Sequence, residues 1–195
     1  MQASDESMTS QVIVKKQKLD NPPFKIHYLG DRVLRQSAKR ISRVDDDTRR
    51  LIRKMLQTMY SADGIGLAAP QVGIQKQLIV IDCEPDNAAT PPLVLINPTI
   101  KKLSKEISPF QEGCLSIPGV YMDVTRPEVI EVSFKDESGR PRTIRATELL
   151  SRAIQHEMDH LEGVLFVDRV ENQFALTQEL TKHKFSPKAV NHIQS

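Results

Sequence analysis

The chain has 195 residues, of which 39% are hydrophobic and 27% are charged, and its formal net charge is +2. This length allows one domain with a substantial core and is too short for two large domains. A nearly neutral charge with dispersed basic groups gives no indication of nucleic acid or an anionic membrane as the main partner. No apolar run approaches the roughly 20 residues of a membrane span, and the first 20 residues lack a signal-peptide core. We therefore expect a cytoplasmic protein, or one of an organellar stroma or matrix if the chain is an imported mature form.

The N-terminal part of the chain predicts an arm, one helix and a segment without regular structure. Residues 1–24 are polar and aperiodic and end in Asn21-Pro22-Pro23, which is typical of an arm. Residues 45–61 have an apolar stripe at helical spacing, and three aspartates at their start suit the positive end of a helix. The glycines and small residues of 64–71 (GIGLAAPQ) are typical of no regular element.

The middle of the chain predicts strands. Two are expected from apolar runs and two from weaker patterns: 77–82 and 93–96, then 99–103 and 106–110. Residues 130–135 alternate between apolar and polar side chains, and a turn leads from them into a partner strand at 142–146.

The last third of the chain predicts a helix and a tail. The helix is expected to begin near Thr147, a suitable N-cap, and to end at Gly163. Strands followed by a late buried helix indicate the α+β class. We expect a single compact domain over 25–170, with antiparallel or mixed sheets around that helix, and a C-terminal tail over 171–195.

The segment QHEMDHL (155–161) contains the pattern HExxH and is the most informative stretch of the chain. On a helix, His160 lies roughly 40° around the axis from His156, and Glu157 lies roughly 100° around. The two imidazoles can therefore bind one divalent metal while the carboxylate reaches a water molecule on that metal. All three side chains fall on the apolar arc of the helix, where ionisable groups are costly unless paired or metal-bound. The opposite arc carries polar residues: Ser151, Arg152, Gln155 and Asp159.

A catalytic metal usually has three protein ligands and one open position, so a third ligand is expected. The other histidines are interpreted as surface groups: His27, His183 and His192. Two cysteines without CxxC spacing argue against a secreted disulfide scaffold, and Cys83, at the end of a strand-like run, is interpreted as a structural thiol. Cys114 is flanked by glycines that allow backbone to approach a ligand closely. A set of one cysteine and two histidines fits a catalytic divalent ion, on which the thiol loses its proton.

Three segments closely resemble the signature motifs of the peptide deformylases: GIGLAAPQ (64–71), EGCLS (112–116) and QHEMDHLEG (155–163). They occur in the expected order, and three motifs together are far more specific than any one. The resemblance extends over about 26–170. The family is a compact α+β metal hydrolase that removes the formyl group from the N-terminal formyl-methionine of new polypeptides and releases formate.

The resemblance implies a role for each motif residue. The metal ligands would be Cys114, His156 and His160. Glu157 would be the general acid/base, and Gln71 with the backbone N–H of Leu115 would donate hydrogen bonds to the oxyanion. A divalent ion can lower the pKa of bound water from about 15.7 to about 7. Glu157 would then take the proton of the metal-bound water and deliver it to the leaving amine.

Substrate-binding residues are expected around the same motifs. Formyl specificity should be steric, because an acetyl group adds a methyl in a cramped site near Gly66 and Leu115. The glycines that would let a substrate backbone lie alongside are Gly64, Gly66 and Gly113. Candidates for the methionine pocket, each equally plausible as plain core, are Ile65, Tyr121 and Ile154. The family pattern also suggests that Arg126 pairs with Glu112 and holds the cysteine segment.

We expect one divalent metal ion per chain. Ligand chemistry accepts zinc, nickel, cobalt or ferrous iron, and the resemblance implies Fe²⁺ in the cell with Zn²⁺ common in isolated protein. The expected partners are N-formylmethionyl nascent peptides, with a transient ribosome contact left open and no nucleic-acid motif. Two alternatives remain: a metallopeptidase of the HExxH type and a catalytically silent homologue. The cysteine ligand argues against the first, and the presence of every motif residue argues against the second.

Overall fold

The computed structural model describes residues 14–193, so the first part of the predicted arm (1–13) and residues 194–195 lie outside the described range. Within the described range, the α-helices are α1 (Asp46–Ser61), α2 (Glu148–Leu161) and α3 (Gln173–Lys182). The strands of the same range are β1 (Gly66–Ala68), β2 (Leu78–Ile81), β3 (Leu93–Leu103), β4 (Ile107–Cys114), β5 (Ile117–Pro127), β6 (Ile130–Lys135) and β7 (Pro141–Ala146). The five-stranded sheet has the order β1-β2-β3-β6-β7, and β4 with β5 forms a separate hairpin. Every pairing between named strands is antiparallel.

The five-stranded sheet lies between α1 and α2. Strand β2 is buried along its whole length. Its successive side chains point to opposite faces of the sheet, and a helix covers each face. Leu78 and Val80 pack with the apolar stripe of α1, whereas Ile79 and Ile81 pack with the apolar side of α2. The continuous apolar run of this strand therefore serves two cores, and it fixes α2 against the centre of the sheet.

Helix α1 has the predicted start and end. The Asp45 side chain accepts a hydrogen bond from Thr48 N at 2.8 Å, which satisfies a free amide of the first turn. The helix ends at Ser61, and the chain continues through residues 62–65 into β1. This places the GIGLAAPQ segment directly after the helix.

The strands differ from the prediction at three places. The runs 93–96 and 99–103 form one strand, β3, which shifts register at the irregularity between Ile96 and Thr99. Strand β5 was not predicted. The expectation of no regular structure over 64–71 was wrong, since Gly66–Ala68 pairs with β2 and a 3₁₀ turn follows. Small side chains are compatible with this strand because its neighbours supply the hydrogen bonds and the packing.

The C-terminal residues form α3, which packs on the hairpin side of the molecule. Asn172 caps the helix by accepting a hydrogen bond from Ala175 N at 3.0 Å. Leu176 and Leu180 are buried together with β5 residues in a third apolar cluster, whereas Phe174 is exposed. The α+β fold with antiparallel sheets around a buried α2 confirms the predicted class.

Within residues 14–193, none of the helices combines the length and the apolar character needed to cross a membrane.

Candidate active site

Helix α2 carries His156, Glu157 and His160 into the interior, where the three residues are 7%, 5% and 1% exposed. The polar arc of α2, opposite the apolar one, does not face solvent either. Its four residues are also buried: Ser151, Arg152, Gln155 and Asp159. The hairpin of β4 and β5 covers this side of the helix and supplies partners. Arg152 donates to Ser108 O and Val124 O, and Gln155 donates to Pro127 O.

The hairpin brings Cys114 to the two histidines of α2. Cys114 ends β4, where the register with β5 shifts between Gly113 and Cys114. Its Sγ lies 3.3 Å from His160 Nε2. The possible ligand atoms of Cys114, His156 and His160 all lie within 4.8 Å of one another. Two elements that are distant in sequence thus meet at one point, as a three-ligand metal site requires.

Glu112 fixes the orientation of His156. Glu112 Oε2 lies 2.9 Å from His156 Nδ1, so a proton on Nδ1 leaves Nε2 as the ligand atom. Arg126 donates to both carboxylate oxygens of Glu112, at 2.6 and 2.9 Å. Arg152 donates to the same carboxylate at 3.0 Å. The ion pair between Arg126 and Glu112 is thus present, and it belongs to a larger buried network.

Gln71 is held in one orientation beside the cysteine. Its Oε1 accepts a hydrogen bond from Ala68 N at 2.8 Å, which assigns the other end of the amide as the donor. Nε2 donates to Ser116 Oγ at 3.1 Å and lies 3.6 Å from Cys114 Sγ. The amide therefore directs its donors toward the candidate ligand group.

Burial shifts the pKa values of the groups on α2. Burial raises the pKa of Glu157 from 4.5 to about 7, so this carboxyl group exchanges its proton near neutral pH. Burial lowers the pKa of His160 well below its usual value, which favours the neutral imidazole that binds metals. Burial opposes protonation of His156 as well, but contacts with Cys114 and Glu112 outweigh it and raise its pKa.

A cavity of about 570 Å³ opens over these groups. Cys114, His156 and Glu157 line it, whereas His160 and Gln71 contact Cys114 without lining it. Other predicted site residues also line the cavity: Gly64, Ile65, Gly66, Gly113, Leu115 and Tyr121. Ile154 does not, because its side chain is fully buried in the core between α2 and the sheet; its assignment to the methionine pocket is therefore corrected.

Sequence reasoning missed the apolar mouth of this cavity. Tyr28, Phe110 and Leu149 line it and are all exposed. The Phe110 ring lies 5.4 Å from the guanidinium carbon of Arg152. Exposed apolar side chains around one opening are a signal for ligand contact, but only the fold shows that residues from three distant segments share it.

The donor set fits a divalent metal ion. A thiol and two imidazoles converge in a buried position, and two nearby polar atoms, Glu157 Oε2 and His160 Nδ1, have no hydrogen-bond partner within the described residues. Unpaired buried polar atoms are rare unless the site has a function. A buried group of one cysteine and two histidines, next to a carboxyl group and open to a cavity, defines the class of metal-dependent hydrolases.

Comparisons with known proteins identify the family. The polypeptide deformylase family model matches residues 23–175. Peptide deformylase 1 of Nostoc sp. is 72% identical over 186 residues, which cover 95% of this chain and 100% of that protein. The chain belongs to the peptide deformylase family.

Solved structures agree with this assignment. The crystal structure of a peptide deformylase from Synechococcus elongatus in complex with actinonin has a TM-score of 0.91 and 64% identity, covering 92% of this chain and 98% of that one. A plant peptide deformylase has a TM-score of 0.78 and 41% identity, covering 85% of this chain and 89% of that chain.

Proposed function

We propose that this chain hydrolyses the formyl group of N-terminal formyl-methionine in nascent polypeptides and releases formate. The observation that carries the proposal is the convergence of Cys114, His156 and His160 within 4.8 Å, beside Glu157 and under an open cavity. The near-complete coverage of deformylase relatives supports the same reaction.

Cys114, His156 and His160 would hold one divalent ion. When bound, the ion supplies Lewis acidity, which makes water acidic enough to lose a proton near neutral pH and polarises the formyl carbonyl. A thiolate with two imidazoles accepts ferrous iron, zinc, nickel or cobalt. We propose Fe²⁺ as the ion used in the cell, in line with the motif resemblance.

Glu157 would move the proton. Its Oε2 is buried and has no hydrogen-bond partner among the described residues, so it is available to a water molecule or a substrate amine in the cavity. A pKa near 7 lets one carboxyl group accept a proton from the attacking water and return it to the leaving nitrogen. A cation in the adjacent site would lower this pKa and favour the base form.

Gln71 and Leu115 would stabilise the oxyanion. The Gln71 amide is fixed by Ala68 N and donates toward the ligand group, so it needs little rearrangement during reaction. Leu115 follows Cys114 directly and lines the cavity, which supports its backbone N–H as the second donor. Loss of one such donor typically costs roughly 2.7–4 kcal/mol of transition-state stabilisation.

The cavity walls would select the substrate. Gly66 lies so close to Glu157 that an added Cβ would be 2.5 Å from Oε1, which leaves little room for an acetyl methyl. Gly64 and Gly113 line the cavity without bulky side chains, as alignment of a substrate backbone requires. Ile65 and Tyr121 remain the candidates for contact with the methionine side chain.

We propose that residues 25–170 carry the reaction, in the cytoplasm or an organellar stroma or matrix. Nascent peptides are the substrates, so a transient ribosome contact through the tail is part of the proposal. Lys182, Lys184 and Lys188 are the basic residues of that tail. Replacing all three by glutamate should weaken sedimentation with ribosomes and leave turnover of short peptides unchanged; unchanged sedimentation would exclude the tail.

The reaction is tested by formate release from formyl-Met-Ala-Ser. The protein is kept anaerobic with Fe²⁺ or reconstituted with nickel, beside a chelator-treated sample. Acetyl-Met-Ala-Ser and an internal peptide bond serve as alternative substrates. We expect formate only with metal and only from the formyl peptide. Cleavage of the internal bond would instead indicate a peptidase, and no turnover by folded, metal-loaded protein would indicate a silent homologue.

A further inference from the structure

Residues 14–24, the described part of the arm, lie along the C-terminal half of α1. Val14 and Phe24 pack against the apolar cluster of that helix. Leu19 N donates to Ser61 Oγ at 3.1 Å, and Phe24 N donates to Thr58 Oγ1 at 3.2 Å. The arm is therefore attached to the helix that leads into one wall of the cavity. Residues 62–66 run from the end of α1 to the first residue of β1, and all five line the cavity; we call them the wall segment.

Asp82 is hydrogen-bonded to the wall segment and to the end of α1. It directly follows β2, and its side chain is 1% exposed. Its backbone N–H donates to Ile65 O at 2.8 Å, inside the wall segment. Its Oδ2 accepts a hydrogen bond from the hydroxyl of Tyr60 at 2.7 Å, two residues before the wall segment. Burial and the Asp82 carboxylate raise the pKa of Tyr60, so this hydroxyl stays a donor.

Lys16 of the arm supplies the positive charge for Asp82. Its Nζ lies 2.6 Å from Asp82 Oδ2, and within residues 14–193 no other cation is in ion-pair distance of that carboxylate. Nζ also donates to Glu84 O at 3.0 Å and to Asn87 O at 2.8 Å. All three ammonium protons therefore have acceptors, in a side chain that is 10% exposed.

Removing this ammonium would leave a buried carboxylate without a counter-charge. Such a group must take up a proton or admit water, and either change disturbs its hydrogen bonds. The disturbed bonds would be those that the carboxylate accepts from Tyr60, two residues before the wall segment, and from Glu84 N in the loop after β2. The lysine lies outside the cavity, so it has no contact with a substrate.

We propose that Lys16 is a positioning residue, which neutralises Asp82 and thereby holds the wall segment in the conformation that binds the peptide. The proposal rests on the proposed deformylase function for its kinetic readout. The arm then has a role in substrate affinity, and the reacting groups on α2 do not depend on it. Exposed Lys15, without any ion pair within the described residues, is the matched control.

The first experiment compares Lys16→Met with Lys15→Met in formate release from formyl-Met-Ala-Ser. We expect KM to rise roughly tenfold for Lys16→Met with kcat within about twofold, and no change for Lys15→Met. Hydrogen exchange of the amides of residues 62–66 should be faster in Lys16→Met only. An unchanged KM, or a loss of kcat without a change in KM, would overturn the positioning role.

The second experiment places the same substitution in an Asp82→Asn background. If Lys16 acts through the buried charge, Lys16→Met should change KM by less than about twofold there, and additive effects would overturn the proposal. The Asp82→Asn background also allows the test if the single Lys16→Met variant folds poorly, because the double variant has no buried carboxylate that lacks its counter-charge. Inactive wild-type protein would refute the proposed function, whereas the exchange rates of the wall segment would still decide the role of Lys16.

Discussion

Gly66 lies against the carboxyl group of Glu157, so one added methyl there should displace that carboxylate. A Cβ built on Gly66 lies 2.5 Å from Glu157 Oε1 and 3.0 Å from its Cδ and Cγ. Ordinary contacts begin near 3.4 Å, so the carboxylate oxygen must move by about 0.9 Å. Gly66 has no left-handed φ, and alanine therefore fits the backbone of β1 without strain.

The expected consequence of Gly66→Ala is a loss of kcat with the metal site intact. Glu157 is buried, so its displaced side chain has little room to regain the position that it needs for the reaction. A displacement of about 1 Å at a reacting group can cost roughly 100-fold in rate, and we expect a fall in kcat of that size. Formate release measures kcat, and the metal-to-protein ratio measures whether Cys114, His156 and His160 still bind the ion.

Gly64→Ala is the matched control, two residues earlier on the same cavity wall. Its Cβ would meet Leu115 Cδ1 at 2.6 Å, which is the end of a flexible side chain that can rotate away. We expect kcat within about threefold of wild type, with any larger effect on KM. A Gly66→Ala enzyme with normal kcat would refute the reasoning. An equal loss of kcat in Gly64→Ala would also refute it, since narrowing of the cavity alone would then explain the effect of both substitutions.

Three further predictions concern the buried charges. Glu157→Gln should keep the metal and lower kcat roughly 10²–10⁴-fold in the formate assay, because the amide cannot carry the proton; near-normal turnover would refute the acid/base role. Cys114→Ala should weaken metal binding itself, which a chelator competition titration measures against wild type. Glu112 has a pKa lowered from 4.5 to about 2, since hydrogen bonds from His156 and Arg126 outweigh its burial. Its stabilisation, ~3 kcal/mol at about 1.4 kcal/mol per unit, is therefore present above pH 4.5 and is lost as the pH falls toward 2. The free energy of urea unfolding of the metal-free protein should fall in this way with decreasing pH, and that of Glu112→Gln should not. An equal pH dependence in the two proteins would show that Glu112 is not the group responsible.

Helices α1 and α2 and the hairpin of β6 and β7 were predictable because their patterns are local, whereas α3 lies in the segment that we expected to be a tail. Residues 46–61 repeat apolar side chains at helical spacing over four turns, and 130–135 alternate over six residues. Strand β1 has no such pattern in its three residues, Gly66–Ala68. It exists because β2 supplies hydrogen-bond partners. A strand that owes its structure to partner residues 11 to 15 positions later in the chain cannot be recognised from its own side chains.

The candidate site was predictable in its residue types and less so in its surroundings. The HExxH spacing and the glycines around Cys114 indicated the three ligands, which the structure brings together. The helical wheel placed Arg152 and Asp159 opposite the apolar arc but could not show that they are buried, because a wheel describes one helix and contains no information on what covers it. The same limit explains Ile154, whose apolar character fits a pocket and a core equally well, and only the packing distinguishes them.

The buried ion pairs explain how the hairpin and α2 keep the ligands together. Glu112 of β4 binds His156 and Arg152, both on α2, while Arg126 of β5 binds Glu112 and, at 2.8 Å, Asp159 of α2. The charges thus alternate between the two elements, and each buried charge has a partner on the other one. Separating the hairpin from the helix would expose several unpaired charges at once, which is strongly unfavourable. Since Cys114 comes two residues after Glu112, the network that orients His156 also limits how far the thiol can lie from it, so the buried ion pairs contribute to the ligand geometry.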